Sequence, residues 1–374
     1  MQLEQFYNNK KCVGQSNSLN DLNGQNILFD FFSKLKTFIL LTFLPAGYPD
    51  SVSDDYIEYQ FFDTLQALCS SLNGSLAQYS VLKTLGVGDG SATVLSATLT
   101  WILRDGCGMI TNIIFISKKS NMLDNHPKQW RLTADILNDL AMLIELLFSS
   151  PYVLCVSSMF RAVVGVAGGA TRTPIIMHQA KRGSNFADVQ AKDSAQETVV
   201  NLIALCLNVV FVPKIVQNQV LTWCFFIFFM IMHIFFNYRG VRSVKSNLLN
   251  YYRLEVVIEK KIFGIHEVND EEEIFRALVP RKSWSLGAEI EMSTINQGEP
   301  TFEFVNDTIL VDSVGKKIHF VKDSSRKDVL KSYLLVNLGY KTDKCEDVLG
   351  KLEAAGWNLE DHRLFVDEWR FSKI

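Results

Sequence analysis

Very little in this chain announces chemistry. Its seven cysteines (Cys12, Cys69, Cys107, Cys155, Cys206, Cys224 and Cys345) form no C-x-x-C pair and keep no spacing rhythm, and five of them lie in apolar segments. That argues against a disulfide framework and leaves buried, reduced thiols as the expectation. The six histidines are just as isolated. His178 and His233 have no cysteine, histidine or carboxylate at ligand spacing, so neither a metal site nor a cofactor is expected. No Walker lysine motif, G-x-S-x-G or H-E-x-x-H occurs, and the chain is not expected to be an enzyme. Gly86-x-Gly88-x-Gly90 imitates a phosphate loop, but no strand precedes it and its spacing is wrong, so it reads as a turn. Positive charge is never concentrated among aromatics and the net charge is −3, so nucleic acid is not an expected partner. The first 25 residues lack an apolar core. No cleaved secretory signal is expected, and an internal span would direct insertion. No internal repeat is evident.

What the sequence has in quantity is apolar length. Hydrophobic residues make up 48% of it, and the mean hydropathy of +0.11 averages an apolar region, 60–238, with a charged one, 239–374. Residues 220–238 read VLTWCFFIFFMIMHIFFNY, inside a charge-free run of about 24 residues between Lys214 and Arg239. Such a run crosses a hydrocarbon core of ~30 Å as a helix, and it is apolar on every face. One accepted span changes the reading of the weaker apolar segments upstream, at about 64–82, 90–117, 132–149, 152–171 and 195–212. With 216–238 these make six candidate spans. Breakers separate several of them: the glycines around residue 88, Ser149-Ser150-Pro151, and Pro213-Lys214. A shorter stretch, 38–44, cannot span and reads as a packed loop, with an interfacial or re-entrant segment as the alternative.

The remaining gaps are basic. Lys118, Lys119, Lys128 and Arg131 fill one; Arg172, Lys181, Arg182 and Lys192 fill the next; Arg239, Arg242 and Lys245 follow the last segment. If all six segments cross, every basic connection falls on one face. The positive-inside rule then places that face, both termini and the tail in the cytosol. Segments three and five carry carboxylates, and either could instead be a cytosolic helix packed on the bundle.

The expected fold is therefore mainly α: a multi-pass transmembrane helical bundle with a small C-terminal α+β domain. Its divisions are a polar N-terminal segment (1–42), a membrane domain (43–240), a juxtamembrane amphipathic helix (241–264) and a soluble domain (265–374). In the last, strand-like runs at 301–305, 308–311 and 316–321 precede helical patterns at about 324–338 and 344–355. The acidic run 270–273 reads as a solvated linker or helix start. Asn73 and Asn306 sit in glycosylation sequons, and neither is expected to be used, the first lying in the bilayer and the second in the cytosol.

Charges inside apolar segments are the candidate site. Segment two carries Arg104 and Asp105 near its centre, and Ser91, Thr98, Asp105 and Asn112 recur every seven residues along one face. A mid-membrane charge costs a few kcal/mol, about 3 on insertion scales, and normally meets a partner or a water-filled cavity. Gly106 and Gly108 follow and could unwind the helix there, as in the broken helices of transporters. The alternative is a structural Arg–carboxylate pair between packed helices. Segment three aligns Asp135, Asn138, Asp139, Met142 and Glu145, and segment four answers with Arg161, Gly165, Gly168 and Arg172. An acidic stripe opposite an Arg/Gly stripe across a tight link fits a paired hairpin. Segment five aligns Asp193, Glu197, Asn201, Ala204 and Asn208, and segment one aligns Asp63, Ala67, Ser70, Gly74 and Ala77. The intramembrane candidates are thus Arg104, Asp105, Asp135, Asp139, Arg161, Glu197 and Asn201. A second, loop-borne set is Arg172, His178, Asp188, Lys192 and Asp193. The simplest arrangement converges these polar faces and leaves segment six at the lipid boundary.

The strings FLPAGYPDSVSDDYIEYQFFDTLQALCSSLNGSLA, LTWILRDGCGMI, KQWRLTADILNDLAMLIELL and FADVQAKDSAQETVVNL closely resemble the root UVB sensitive family, over about residues 43–265. The ending AAGWNLEDHRLFVDEWRF, 354–371, is similar to that family's C-terminal region. The resemblance implies a eukaryotic membrane-associated protein; plant members are connected with UV-B responses in seedling roots, auxin transport and vitamin B6 status. It transfers no catalytic set. Arg104-Asp105-Gly106 and the stretch from Ala187 to Glu197 match the most characteristic family strings. Thr111-Asn112 stands where a Gly-Arg pair is more usual, the loop near 117–124 looks shortened, and residues 173–177 also depart. Two functions follow as expectations. One is a transporter or transport-accessory protein moving an unknown small molecule across the lipid bilayer. The other is a non-catalytic membrane scaffold that recruits a protein partner through its tail and the 178–193 loop. A homo- or hetero-oligomer fits either. A membrane enzyme using Asp135, Asp139 or Glu197 as acid or base finds no nucleophile or cofactor motif in support.

Overall fold

Helices begin where the sequence supplies caps and end where it supplies breakers. A computed structural model describes residues 5–7, 10–12, 24–88, 93–148, 150–181, 185–275, 284–290, 302–306 and 309–371. A hairpin of β1 (Gln5–Tyr7) and β2 (Lys10–Cys12) precedes α1 (Gly24–Phe43). Six long helices follow: α2 (Tyr56–Thr84), α3 (Val94–Leu123), α4 (Pro127–Leu147), α5 (Pro151–Gln179), α6 (Phe186–Ile215) and α7 (Gln219–Ser243). Thr93 starts α3 by accepting the Ser96 amide at 3.1 Å, and Asn218 starts α7 by accepting those of Val220 and Leu221. Pro127 and Pro151 open α4 and α5, where a missing N–H costs nothing.

Each of the six apolar segments becomes a helix. Four of them, α3, α5, α6 and α7, are long and apolar enough to cross a membrane. α2 and α4 are long but too polar to meet that measure, so the count of six is not reached by length and composition alone. Three other expectations change. The stretch 38–44 is the end of the 20-residue α1, because Phe31, Phe32 and Leu35 carry its apolar face back by two turns. Pro213 falls within the last turn of α6, where few hydrogen bonds remain to break, so the helix runs through it. The 178–193 region is mostly helical: α5 and α6 outrun their apolar stretches and put all five loop-site candidates on helices.

Packing adds to one expected placement. α7 keeps Ile227, Phe228, Ile231 and Phe235 exposed, as a helix at the bundle's edge would, but its other face packs along α2 and α4 with Phe226, His233, Asn237 and Gly240 buried. α3 is also an outer helix. It lies against α5, where Gly108 approaches so closely that a Cβ would meet Ser158 Oγ at 2.6 Å. Asn73 is buried, its Nδ2 donating to the Phe226 carbonyl at 3.0 Å.

Beyond α7 the chain runs extended to α8 (Tyr251–Lys260), capped by Asn250, and then α9 (Ile265–Glu271). Strands β3 (Ser285–Leu286), β4 (Phe302–Asn306), β5 (Ile309–Asp312) and β6 (Lys317–Val321) lead to α10 (Arg326–Asn337), α11 (Thr342–Ala354) and β7 (Arg370–Phe371). β4, β5 and β6 form an antiparallel meander, and β3 and β7 pair parallel with the free edge of β6. Val311, Ile318 and Phe320 bury against Leu330, Leu334 and Leu352 of the two helices. Leu254 and Val257 of α8 belong to the same core.

The acidic run 270–273 is the largest departure from expectation. Glu272 is 1% exposed and joins this layer to the bundle. It accepts from Gln129 Nε2 at 2.9 Å, Asn250 Nδ2 at 2.8 Å and Arg253 Nε at 3.1 Å, and lies 3.1 Å from Lys128 Nζ. Lys128 also donates to Asn269 Oδ1 at 2.8 Å. One carboxylate serves two buried cations. Burial raises the Glu272 pKa, but Arg253, Lys128 and the two amides hold it well below the carboxylate range. Burial pushes Lys128 down to about 7 against the pull of Glu272, with Arg253 adding to the descent.

Candidate functional site

The bundle interior holds one continuous polar ring built from α2, α4 and α7. On α4, Arg131, Asp135 and Asp139 follow one another at i+4, so they share a face; on α7, His233 and Asn237 do the same. His233 is fully buried. Its Nδ1 lies 2.9 and 2.8 Å from the two carboxylate oxygens of Asp139, and its Nε2 lies 2.9 Å from Gln66 Oε1 on α2. Gln66 Nε2 donates to Asp63 Oδ1 at 3.2 Å, and the same oxygen accepts from Arg131 Nη2 at 3.2 Å. Arg131 Nε stands 3.8 Å from Asp135, which accepts from Asn237 and so returns the ring to α7.

Two properties decide what this ring can do. Both imidazole nitrogens face acceptor oxygens, an arrangement that a doubly protonated ring satisfies and a neutral one leaves half met. Three carboxylates also share one guanidinium and one imidazole, an acidic excess that an extra proton balances. The arrangement can therefore take up and release a proton inside an apolar bundle. No group of three or more metal-ligating side chains occurs among the described residues.

The other candidates fall into separate places. Arg161 on α5 pairs with Glu145 of α4, Nη2 to Oε2 at 2.6 Å and Nε to Oε1 at 3.1 Å, and Ser157 Oγ adds a donor at 2.5 Å. This closes the α4–α5 hairpin. Arg172 bridges Asp193 and Glu197 of α6, with Gln60 Nε2 donating to Asp193 at 3.0 Å. Asn201 Oδ1 accepts from Ser71 Oγ at 2.5 Å. His178 and Asp188 act at the bundle end. His178 Nε2 lies 2.8 Å from Asp55, and Asp188 accepts the Ala46 amide at 2.7 Å while pairing with Lys192 at 3.7 Å. Burial works to raise the Asp55 pKa, but the His178 contact, Ser53 and the Lys245 amide bring it to about 2.

Arg104 and Asp105 stand apart. Arg104 lies over the Trp101 ring at 4.5 Å with its Nε unpartnered; Asp105 is exposed on α3, with no ion pair among the described residues. Of the expected intramembrane set, the ring gathers only Asp135 and Asp139. It adds Asp63, Gln66, Arg131, His233 and Asn237. Local spacing dismissed His233 as isolated, because its partners are 94 and 167 residues away. Gln66 carried no signal at all.

The family description "Vitamin B6 photo-protection and homoeostasis domain" matches residues 32–263, well over half of the chain. The chain belongs to the root UVB sensitive family. "RUS family member 1" of Dictyostelium discoideum is 48% identical over 225 residues, covering 58% of this chain and 42% of that protein. "Protein root UVB sensitive 3" of Arabidopsis thaliana is 31% identical over 366 residues, covering 86% of this chain and 83% of that protein. "Protein root UVB sensitive 5" of the same plant is 24% identical over 381 residues, covering 86% and 74%. The chain thus spans less than half of the Dictyostelium relative and most of the two Arabidopsis ones. No solved structure matches it. The family match ends at residue 263, so the whole polar ring lies within it, as do Lys128, Asn250 and Arg253 of the junction; Glu272 lies outside.

Proposed function

We propose that this root UVB sensitive family protein is an integral membrane protein that works in transport, as carrier or carrier accessory, with a proton handled by the Asp139–His233 pair. The carrying observation is the closed polar ring: seven polar side chains, three of them carboxylates, enclosed by helices whose outer faces are apolar. Ionisable groups kept inside a membrane bundle are costly and mark ion or substrate paths. α2 and α4 are then interior spans, shielded by the four more apolar helices, which brings the crossing count to six. The basic connectors support an orientation. Lys128 and Lys245 lie at the end of the bundle where the C-terminal layer docks, through Glu272 and Asp270, and His178 lies at the same end, against Asp55, which also accepts the Lys245 amide. The positive-inside rule puts that end in the cytosol.

The family description makes vitamin B6 the first substrate class to test. Full-length protein in liposomes should accumulate pyridoxine under an inward proton gradient. Asp139→Asn and His233→Gln should cut the initial rate by roughly a hundredfold, the scale of losing a positioned proton-transfer group, at unchanged abundance. Lost abundance in step with lost uptake assigns the pair a structural role. Uptake absent from wild type and variants alike favours the scaffold reading.

A further inference from the structure

The helix that precedes the bundle has little of the fold to hold it. In α1 every residue from 31 to 41 is exposed, Phe31 at 59% and Phe38 at 63%. Phe31, Leu35, Phe38 and Ile39 stand at i, i+4, i+7 and i+8, so they share one face, with Phe32 beside them. Ser33, Lys34, Lys36 and Thr37 lie on the other side. This is an amphipathic helix with aromatic bulk on its apolar face and lysines on its polar one. A helix of 20 residues without tertiary support is marginal in water. A contiguous apolar patch on it marks a contact surface.

Where α1 is tied shows what covers it. Its end joins α6: Lys192 Nζ donates to the Leu41 carbonyl, and Gln196 Nε2 donates to that of Phe43 at 2.7 Å. Just beyond, the Ala46 amide donates to Asp188 at 2.7 Å. These α6 residues belong to its charged part, which ends at Glu197; no charge follows until Lys214. The joint therefore sits at the level where α6 passes from polar to apolar. α2 begins at this end too, next to Asp55 and His178, and leaves Ile57 and Phe61 exposed. An open groove of about 450 Å³ lies there, lined by Phe43, Ile57, Phe61, Val199 and Ile203. Phe43 is one turn beyond Ile39 on the apolar face of α1. That face and the outer wall of the bundle thus meet in one apolar corner, and a bilayer covers both sides of such a corner at once.

We infer that α1 is an in-plane membrane anchor. It lies along the head-group layer at the bundle end that carries Asp55 and His178. The face from Phe31 to Ile39 sinks into the acyl region, the lysines reach the head groups, and acyl chains fill the groove beside Phe43. This placement rests on the bundle spanning the membrane, as proposed above.

Depth-dependent quenching tests it. Full-length protein with Cys12→Ser, Cys206→Ser and Cys224→Ser receives one of Leu35→Cys, Phe38→Cys, Ser33→Cys or Thr37→Cys, each labelled with a fluorophore in phosphatidylcholine–phosphatidylglycerol vesicles. Labels at 35 and 38 should be quenched severalfold more by acyl-brominated lipid than those at 33 and 37, and aqueous iodide should give the opposite order. Equal access of iodide to all four leaves the helix in water and overturns the inference. Lipid quenching of all four alike makes it a crossing helix, and labels at 35 and 38 shielded from iodide yet unquenched by lipid are covered by protein; either result overturns it as well. Phe228→Cys, on the exposed side of α7, keeps the two readings apart. Lipid quenching there with wet α1 labels removes the anchor alone, whereas no lipid quenching at 228 removes the membrane reading and the anchor with it.

Discussion

Glu272→Ala destabilises this protein by about 3–5 kcal/mol, the cost of leaving buried charges without their counterion. Contacts to four residues end at once. Lys128 and Arg253 lose their shared carboxylate, and Gln129 and Asn250 lose an acceptor, all in a junction where Glu272 is 1% exposed. Against a typical total of 5–15 kcal/mol the loss is a large fraction. A thermal melt followed by tryptophan fluorescence reads it, and a Tm within a degree or two of wild type would refute the account. Lys128→Met is the informative contrast. Arg253 alone can neutralise Glu272, so that variant costs little, and it alters the pH profile. The Lys128 pKa is about 7 in the folded chain against an ordinary value of 10.5. Between those values the unfolded chain binds the extra proton, so stability rises with pH, by about 1.4 kcal/mol per unit at most. Wild type should gain Tm between pH 7 and 9.5, and Lys128→Met should be flatter. Glu272 acts with the same sign in the acid range: its pKa is lowered on folding, so its stabilisation is complete above pH 4.5 and lost on acidification.

Arg131→Met is the second large effect, expected to cost about 3–5 kcal/mol on the same ground. It strips Asp63 and Asp135 of their cation and leaves three carboxylates facing His233 alone. Detergent-solubilised variant should melt early and elute heterogeneously by size exclusion. Adding Asp63→Asn removes the stranded charge and should recover a substantial part of the loss. Equal behaviour of single and double variants would mean that the ring is not electrostatically coupled. Arg104→Ala is the comparison at the other extreme. Among the described residues its guanidinium is placed against the Trp101 ring, so about 0.5–1 kcal/mol is the expected stability loss, the size of an exposed cation–π contact.

How much of this was legible beforehand divides along one line. Hydropathy and helical spacing are properties of a few adjacent turns, so the six helical segments, the strands near 302–321 and the closing helices could be read directly. The Glu145–Arg161 hairpin was also readable, because its partners sit on successive helices joined by a short link. Spacing could not reveal the ring. His233 lies amid phenylalanines on the greasiest segment and meets Asp139 and Gln66 only when three helices pack. Nor could a run of four acids show that Glu272 alone turns inward, to meet Gln129 143 residues away. Arg104 and Asp105 mislead in the opposite sense: alignment on one face says that a polar stripe exists, not which way the stripe points.

The sequence by itself settled which segments are helical, which of them are apolar, and the family, since all are written in contiguous strings. Only the tertiary structure decided which charges are buried together, which helix lies inside and which outside, and where a cavity remains. Those are sums over contacts between distant residues, and a charge in an apolar surrounding has no defined energy until its partner is placed.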